Sequence, residues 1–429
     1  MKDLNRLPGT ELLATVRDGG ASVMEVAESC LRRIEEREPL IQAFAHHIPD
    51  LVRRSAEELD GTNARGPLRG LPVGVKDLVD TASHPTEFGS PIYSGRRPQR
   101  DAAVVRRLLA AGALMVGKTV TTEFALFHPG PTKNPADATR TPGGSSSGSA
   151  AATADNMVTV AIGTQTAGSV IRPAAFCGVV GFKPTFGAID RTGVKTISPT
   201  LDTVGLFARN VEDIVTVFGI VREQRPENPP VTRAASARRR LGFLRTSEWE
   251  SADPETRHGL EDLASHLAGQ GYDIVETTLP PDFDELMAAQ VTVMETEAAC
   301  CLQSEFREHQ HLLSDSTKGV IERGATRSAQ QYDQAIDVTS RCRSLLGDVF
   351  DQLDGLLTLG VVGEAPAGLA FTGDPLFCRV WTLLHTPALS LPLLRGPHGL
   401  PVGAQVVGLP HADDSLLHLA TEIMATASP

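Results

Sequence analysis

Over residues 9–60 the apolar positions fall at helical spacing, with Val23, Val26, Ala27, Cys30, Leu31 and Ile34 forming one stripe among Glu and Arg. That period predicts two or three amphipathic helices packed on a core. From residue 71 the pattern changes. Residues 71–79 form a short apolar run with one interior lysine, Lys76, and read as a strand. Residues 101–111 return to helical spacing, and 113–118 form the next short run. Short apolar runs and helical stretches alternate to about residue 221, the pattern of an α/β sheet. Residues 222–238 are polar and proline-rich and read as an exposed loop. Further on, the pattern predicts a strand at Arg240–Leu244, a helix over 253–270, and a largely helical stretch of mixed charge over 283–352. Strands follow at Gly355–Leu359 and over 402–408.

Composition narrows the class. Apolar residues make up 41% and charged residues 21% of 429, ordinary for a globular chain with a sizeable core. The net charge of −12 is spread along the sequence, which argues against nucleic acid or an anionic membrane as a partner. No uninterrupted apolar stretch is long enough to span a bilayer, and the N-terminus lacks the apolar core of a signal peptide. A cytoplasmic protein is expected. Its six cysteines (Cys30, Cys177, Cys300, Cys301, Cys342, Cys378) form no CxxC pair and no zinc spacing, so buried reduced thiols and no metal are expected.

The chemistry concentrates in one region. Gly143, Gly144, Ser145, Ser146, Ser147 and Gly148 form one polar turn, and the run from Gly163 to Ser169 forms another. An apolar segment of small residues joins them. Gly-rich polar loops flanking a buried segment must find hydrogen-bond partners for their backbone, and loops of this kind carry function. Lys76, in its apolar run, is a candidate for a buried amine. A buried lysine beside two serine-bearing turns suggests nucleophilic catalysis without histidine. Blander readings exist: Ser169 as a helix cap and Lys76 snorkelling from a strand edge. Gly144-x-Ser146-x-Gly148 also fits a nucleophile elbow with Ser146 as nucleophile and His385 or His398 downstream, and the same loop could cradle a phosphate.

These residues resemble the amidase signature family, which uses a Ser–cis-Ser–Lys triad on carboxamides. Lys76 and Ser145 are 69 residues apart, and Ser145 and Ser169 are 24 apart, in agreement with the family. The resemblance is strongest over 66–210 and recurs at Phe371, Thr372, Gly373, Asp374 and Pro375 and again over 400–405. It implies a single domain with a central mixed sheet covered by helices on both faces. Within it, 1–65 are N-terminal helices, 66–221 the catalytic core, 222–238 the loop and 239–429 the remainder, its helical part covering the active-site side. It implies Ser169 as nucleophile, Lys76 as general base, and Ser145, after a cis peptide, as the proton relay. The backbone N–H groups of Thr166, Ala167 and Gly168 would form the oxyanion hole.

The base must be neutral, and burial among Val73, Val75 and Leu78 is expected to depress its pKa. Asp77, adjacent on a strand, should point to the opposite face. Arg172 falls three residues after Ser169, one further than in the commoner pattern, and the form Val170-Ile171-Arg172-Pro173 resembles the malonamidase branch. There the matching arginine holds a substrate carboxylate. Thr164 is a further candidate for that pocket. Gln165 and Ala167 stand where Asp and Gly are commoner. The expected substrate is a small carboxylate-bearing amide such as malonamate, with no cofactor. Alternatives are an amidotransferase component drawing ammonia from glutamine, and a catalytically inactive binding relative. For the protein itself a homodimer is entertained.

Overall fold

Helix formation starts where the apolar stripe starts. Ser22 caps a long helix through a reciprocal box: its hydroxyl accepts from Glu25 N at 3.1 Å, and the Glu25 carboxylate accepts from Ser22 N at 2.8 Å. The structure, a computed structural model, describes residues 3–61, 66–223 and 238–427. The N-terminal layer comprises α1 (Gly9–Arg17), α2 (Val23–Ile41), the short strand β1 (Phe44–His47) and α3 (Pro49–Gly61). The predicted stripe is the buried face of α2. β1 was hidden in the sequence, because four residues between two helices are too few to show a period of two.

The next elements are β2 (Pro72–Lys76), α4 (Ala103–Ala110), β3 (Leu114–Thr119), α5 (Ser147–Ala154), β4 (Val160–Gln165), α6 (Ile171–Cys177), β5 (Val180–Lys183), β6 (Thr203–Ala208) and α7 (Val211–Val221). β2 ends at Lys76, earlier than the apolar run to 79 suggested, because the chain turns there. Most of the loop expected at 222–238 lies outside the described residues. Then come β7 (Arg240–Leu244), α8 (Pro254–Gly269), β8 (Asp273–Thr277) and five helices: α9 (Leu286–Cys301), α10 (Gln303–His309), α11 (Asp315–Ala325), α12 (Ala329–Ser344) and α13 (Leu346–Val349). β9 (Gly355–Leu359), α14 (Arg379–Leu383), β10 (Ala388–Arg395), β11 (Pro401–Val407) and α15 (Asp413–Ala427) complete the chain.

Among the described residues eleven strands form one mixed sheet in the order β1-β3-β2-β4-β6-β5-β10-β11-β9-β7-β8. β2 is parallel to both β3 and β4, so β2 and β4 end at the same edge. Every residue of these two strands is buried, and alternation sorts them between two cores. Val73, Val75, Val160 and Ile162 pack with α4, α7, α8 and α15, whereas Ala161 packs with α5 and α6. Helices therefore cover both faces. The α9–α13 layer packs through Leu286, Val293 and Val338 onto Ala167 and Ile171, beside the second serine turn. Among the described residues no helix is long and apolar enough to cross a membrane.

Candidate active site

Lys76 is the last residue of β2 and fully buried. Its Nζ lies 2.7 Å from Ser145 Oγ and 2.8 Å from Thr164 Oγ1. It has no carboxylate within ion-pair distance among the described residues. Burial drives its pKa well below the ordinary lysine value, opposed by the charge of Asp202. Lys118 on the adjacent strand shows the contrast. It too is buried, but Asp77 lies 3.4 Å away and its pKa falls only to about 8. Asp77 thus turns from Lys76 and serves Lys118.

Ser145 follows Gly144 through a cis peptide bond. The turn is fixed by its other serines. Ser146 Oγ accepts from Thr164 N and donates to Thr164 O, both at 3.2 Å, and Ser147 Oγ donates to Val120 O at 3.3 Å. Gly148 is required by a close approach: a Cβ there would sit 2.1 Å from Ala43 O. Ser146 is therefore buried and committed to β4, which removes it as a free nucleophile. His385 is held by Thr200 O at 2.7 Å and pushed down to about 3 by burial, and His398 pairs with Glu364 at 2.8 Å. Ser146→Ala should cost about 1–3 kcal/mol of stability through the unsatisfied Thr164 backbone, yet lower amide turnover less than about tenfold. Thermal unfolding and initial rates on the same preparation check this. A dead but folded variant would restore the elbow reading.

The second turn, 166–169, links β4 to α6. Gln165 Oε1 accepts from Val170 N at 2.8 Å and Ile171 N at 3.1 Å, so this glutamine caps α6. Its Nε2 donates to Thr382 Oγ1 at 2.9 Å, and that hydroxyl donates to Ala167 O at 2.7 Å. Gln290 Nε2 donates to Thr166 O at 3.2 Å, and Arg172 N donates to Gly168 O at 3.0 Å. Thr166 Oγ1 donates to Asp202 Oδ1 at 2.6 Å, while Asp202 Oδ2 accepts from Ile197 N and Ser198 N. Ser169 is buried at the end of this turn, and its hydroxyl makes no hydrogen bond to Ser145 among the described residues.

Arg172 is 3% exposed. Its Nη2 donates to Gly144 O at 2.7 Å and approaches Thr372 Oγ1 at 3.5 Å. Nε and Nη1 are buried without a hydrogen-bond partner, and no carboxylate pairs with it among the described residues. Burial pushes its pKa down to about 10. The helix that follows Ser169 is thus tied to the peptide carrying Ser145.

Lys76, Ser145 and Thr164 come into direct contact, and Ser169 and Arg172 lie on the adjoining turn and helix. Thr164 meets Lys76, because the end of β4 runs beside the end of β2. One expectation changes. Cys300 is exposed and Cys301 half-buried, whereas the other four thiols are buried. The sequence reading missed Asp202, Gln290, Arg379 and Thr382. A lone aspartate in the apolar, threonine-rich stretch before β6 was the signal available for Asp202. The other three carried none.

A profile of the Amidase family matches residues 25–417. The glutamyl-tRNA(Gln) amidotransferase component from Symbiobacterium thermophilum is 33% identical, over 94% of this chain and 93% of its own. A crystal structure of an amidase superposes with a TM-score of 0.89 at 27% identity, covering 98% of this chain and all of the other. Native peptide amidase from Stenotrophomonas maltophilia gives 0.82 at 27%, covering 98% and 97%. Fold and sequence together define an enzyme acting on amide C–N bonds. The chain belongs to the Amidase family, the amidase signature proteins.

Proposed function

We propose that this enzyme hydrolyses a small carboxylate-bearing amide through Lys76, Ser145 and Ser169, within one amidase domain. The observation that carries the reading is the 2.7 Å contact between Ser145 and a buried lysine that has no carboxylate partner among the described residues. A neutral Lys76 accepts the Ser145 proton as Ser145 takes that of Ser169. Ser169 Oγ then attacks the amide carbon. The proton returns through Ser145 to the leaving nitrogen, ammonia departs, and water cleaves the acyl-enzyme to the carboxylate.

The carbonyls of Thr166, Ala167 and Gly168 are bonded to Gln290, Thr382 and Arg172 N. In planar trans peptides the N–H groups of Ala167, Gly168 and Ser169 point the other way, toward a developing oxyanion. Ser169 N–H thereby joins the proposed donor set of Thr166, Ala167 and Gly168. Arg172 is the proposed carboxylate reader, since two of its nitrogens lack partners among the described residues and a planar fork suits an anion.

A second reading, ammonia supply from glutamine, is favoured by the name of the relative from Symbiobacterium. Ammonia release from malonamate, its neutral counterparts and glutamine, with mass-spectrometric trapping of an acyl-Ser169 species, separates the two. Faster release from glutamine than from every small anionic amide would replace the first reading by the second.

The base sets the pH profile. The amine is protonated below its folded pKa, so kcat/KM should fall on the acid side, about tenfold per unit well below that value. Asp202 favours the ammonium form. Asp202→Asn should therefore move the acid limb to lower pH, which a pH–rate profile detects. A limb that stays put would separate Asp202 from the charge of Lys76.

A further inference from the structure

Gln290 lies in the second turn of α9, 124 residues from Thr166 in sequence, and is completely buried. It is set beside the apolar cluster that joins α9 to Ala167, Ile171 and Trp381. An amide in such a place is costly unless both ends are bonded. Both are. Arg379 Nη1 donates to Oε1 at 2.7 Å, and Nε2 donates to Thr166 O at 3.2 Å. A guanidinium has donors only, so it dictates which end of the amide faces it and leaves the NH2 for the Thr166 carbonyl.

The consequence follows from peptide planarity. A Thr166 carbonyl held toward α9 sends the Ala167 N–H to the opposite side of the turn. Thr382 holds the next carbonyl, Ala167 O, and Asp202 holds the Thr166 hydroxyl. The turn is thus fixed from outside by side chains of three separate segments. Gln290 is the one contributed by the helical layer, whose sequence carries no catalytic motif.

We infer that Gln290, oriented by Arg379, is a positioning residue for the oxyanion turn: it fixes the direction of the Ala167 N–H and so acts on the transition state without touching the substrate. The inference rests on the reading of 166–169 as that turn. A merely structural glutamine, fastening α9 to the sheet, would change unfolding and leave kcat alone. A glutamine that bound substrate would change KM.

The test uses the full chain with Gln290→Met, which keeps the length of the side chain and loses both bonds. kcat and KM for a small amide are measured beside inhibition by a boronic acid, whose serine adduct mimics the tetrahedral intermediate. The expected result is a drop in kcat of about 10- to 100-fold and a matching weakening of the boronic acid, with KM within about twofold. Arg379→Lys should show a smaller loss of the same kind, because an ammonium still donates to Oε1. If Gln290→Met does not fold, Gln290→Glu replaces it: it keeps the Arg379 contact and turns an acceptor toward Thr166 O, so the same loss is expected. A folded variant with unchanged kcat and inhibition, or one whose KM rises by the same factor as the loss, overturns the inference. Ser169→Ala is run in parallel. Inactivity there alongside a neutral Gln290 variant removes the positioning role alone, whereas an active Ser169→Ala removes the reading of the turn and the inference with it.

Discussion

Lys76→Met should leave a folded protein with amide turnover reduced by about 100- to 10,000-fold, the span usual for a positioned general base. Ser169→Ala should lose about 100,000-fold or more, as expected when a nucleophile is removed from groups that act as a unit. Both are read as ammonia release at saturating amide, beside a thermal unfolding curve. The lysine variant carries a second expectation that a packing role alone would not give. Unfolded, Lys76 keeps its proton up to about pH 10.4, whereas burial in the folded site favours the neutral amine. The unfolded chain therefore binds more protons, and wild-type stability should rise with pH through that window. Lys76→Met removes the penalty. It should unfold at a higher temperature than wild type at neutral pH, and the advantage should shrink as pH approaches the unfolded value. An inactive variant that gains nothing in stability would mean that the buried amine is better solvated than its surroundings suggest.

Arg172→Ala should separate anionic from neutral amides. Truncating one member of a buried charge pair costs about 2–5 kcal/mol, so kcat/KM for a carboxylated amide should fall about 30- to 5,000-fold further than for its neutral counterpart. The ratio is the proper readout because Arg172 has two duties. Its Nη2 also supports Gly144 O, next to Ser145, so part of the loss will be common to all substrates. Arg172→Lys keeps a charge but not the fork, and should recover the common part more than the selective part. Equal losses on both substrate kinds would assign Arg172 to the support of Ser145 alone. The carboxylate preference would then need another source. Ground-state and transition-state contributions separate by whether KM or kcat carries the selective part.

The site was legible to different depths for different residues. Lys76 announced itself as a cation in an apolar run, and the two Gly/Ser turns as polar backbone around a buried segment. Both features are local, so a one-dimensional pattern records them. The α2 stripe, β7 and β9 were legible for the same reason, since each repeats its own period over its own length. The contact of Thr164 with Lys76 was not legible, because it is decided by the register of β4 against β2, which no local pattern contains. Gln290, Arg379 and Thr382 were invisible. Each is an ordinary residue in a helix: Gln290 and Thr382 reach a turn more than one hundred positions away, and Arg379 acts only through Gln290.

By itself, then, the sequence determined the α/β alternation, the helical middle segment, the resemblance to the amidase signature proteins and the residues offered as Lys76, Ser145 and Ser169. Tertiary structure decided which of those groups touch, that Asp77 serves Lys118 and not Lys76, that Ser146 is bound to β4, and that Arg172 keeps two nitrogens without partners among the described residues. The division has one physical cause. Period and composition act between neighbours in the chain, whereas a proton relay, a depressed lysine pKa and a held peptide plane depend on burial and on distances set when eleven strands close into one sheet.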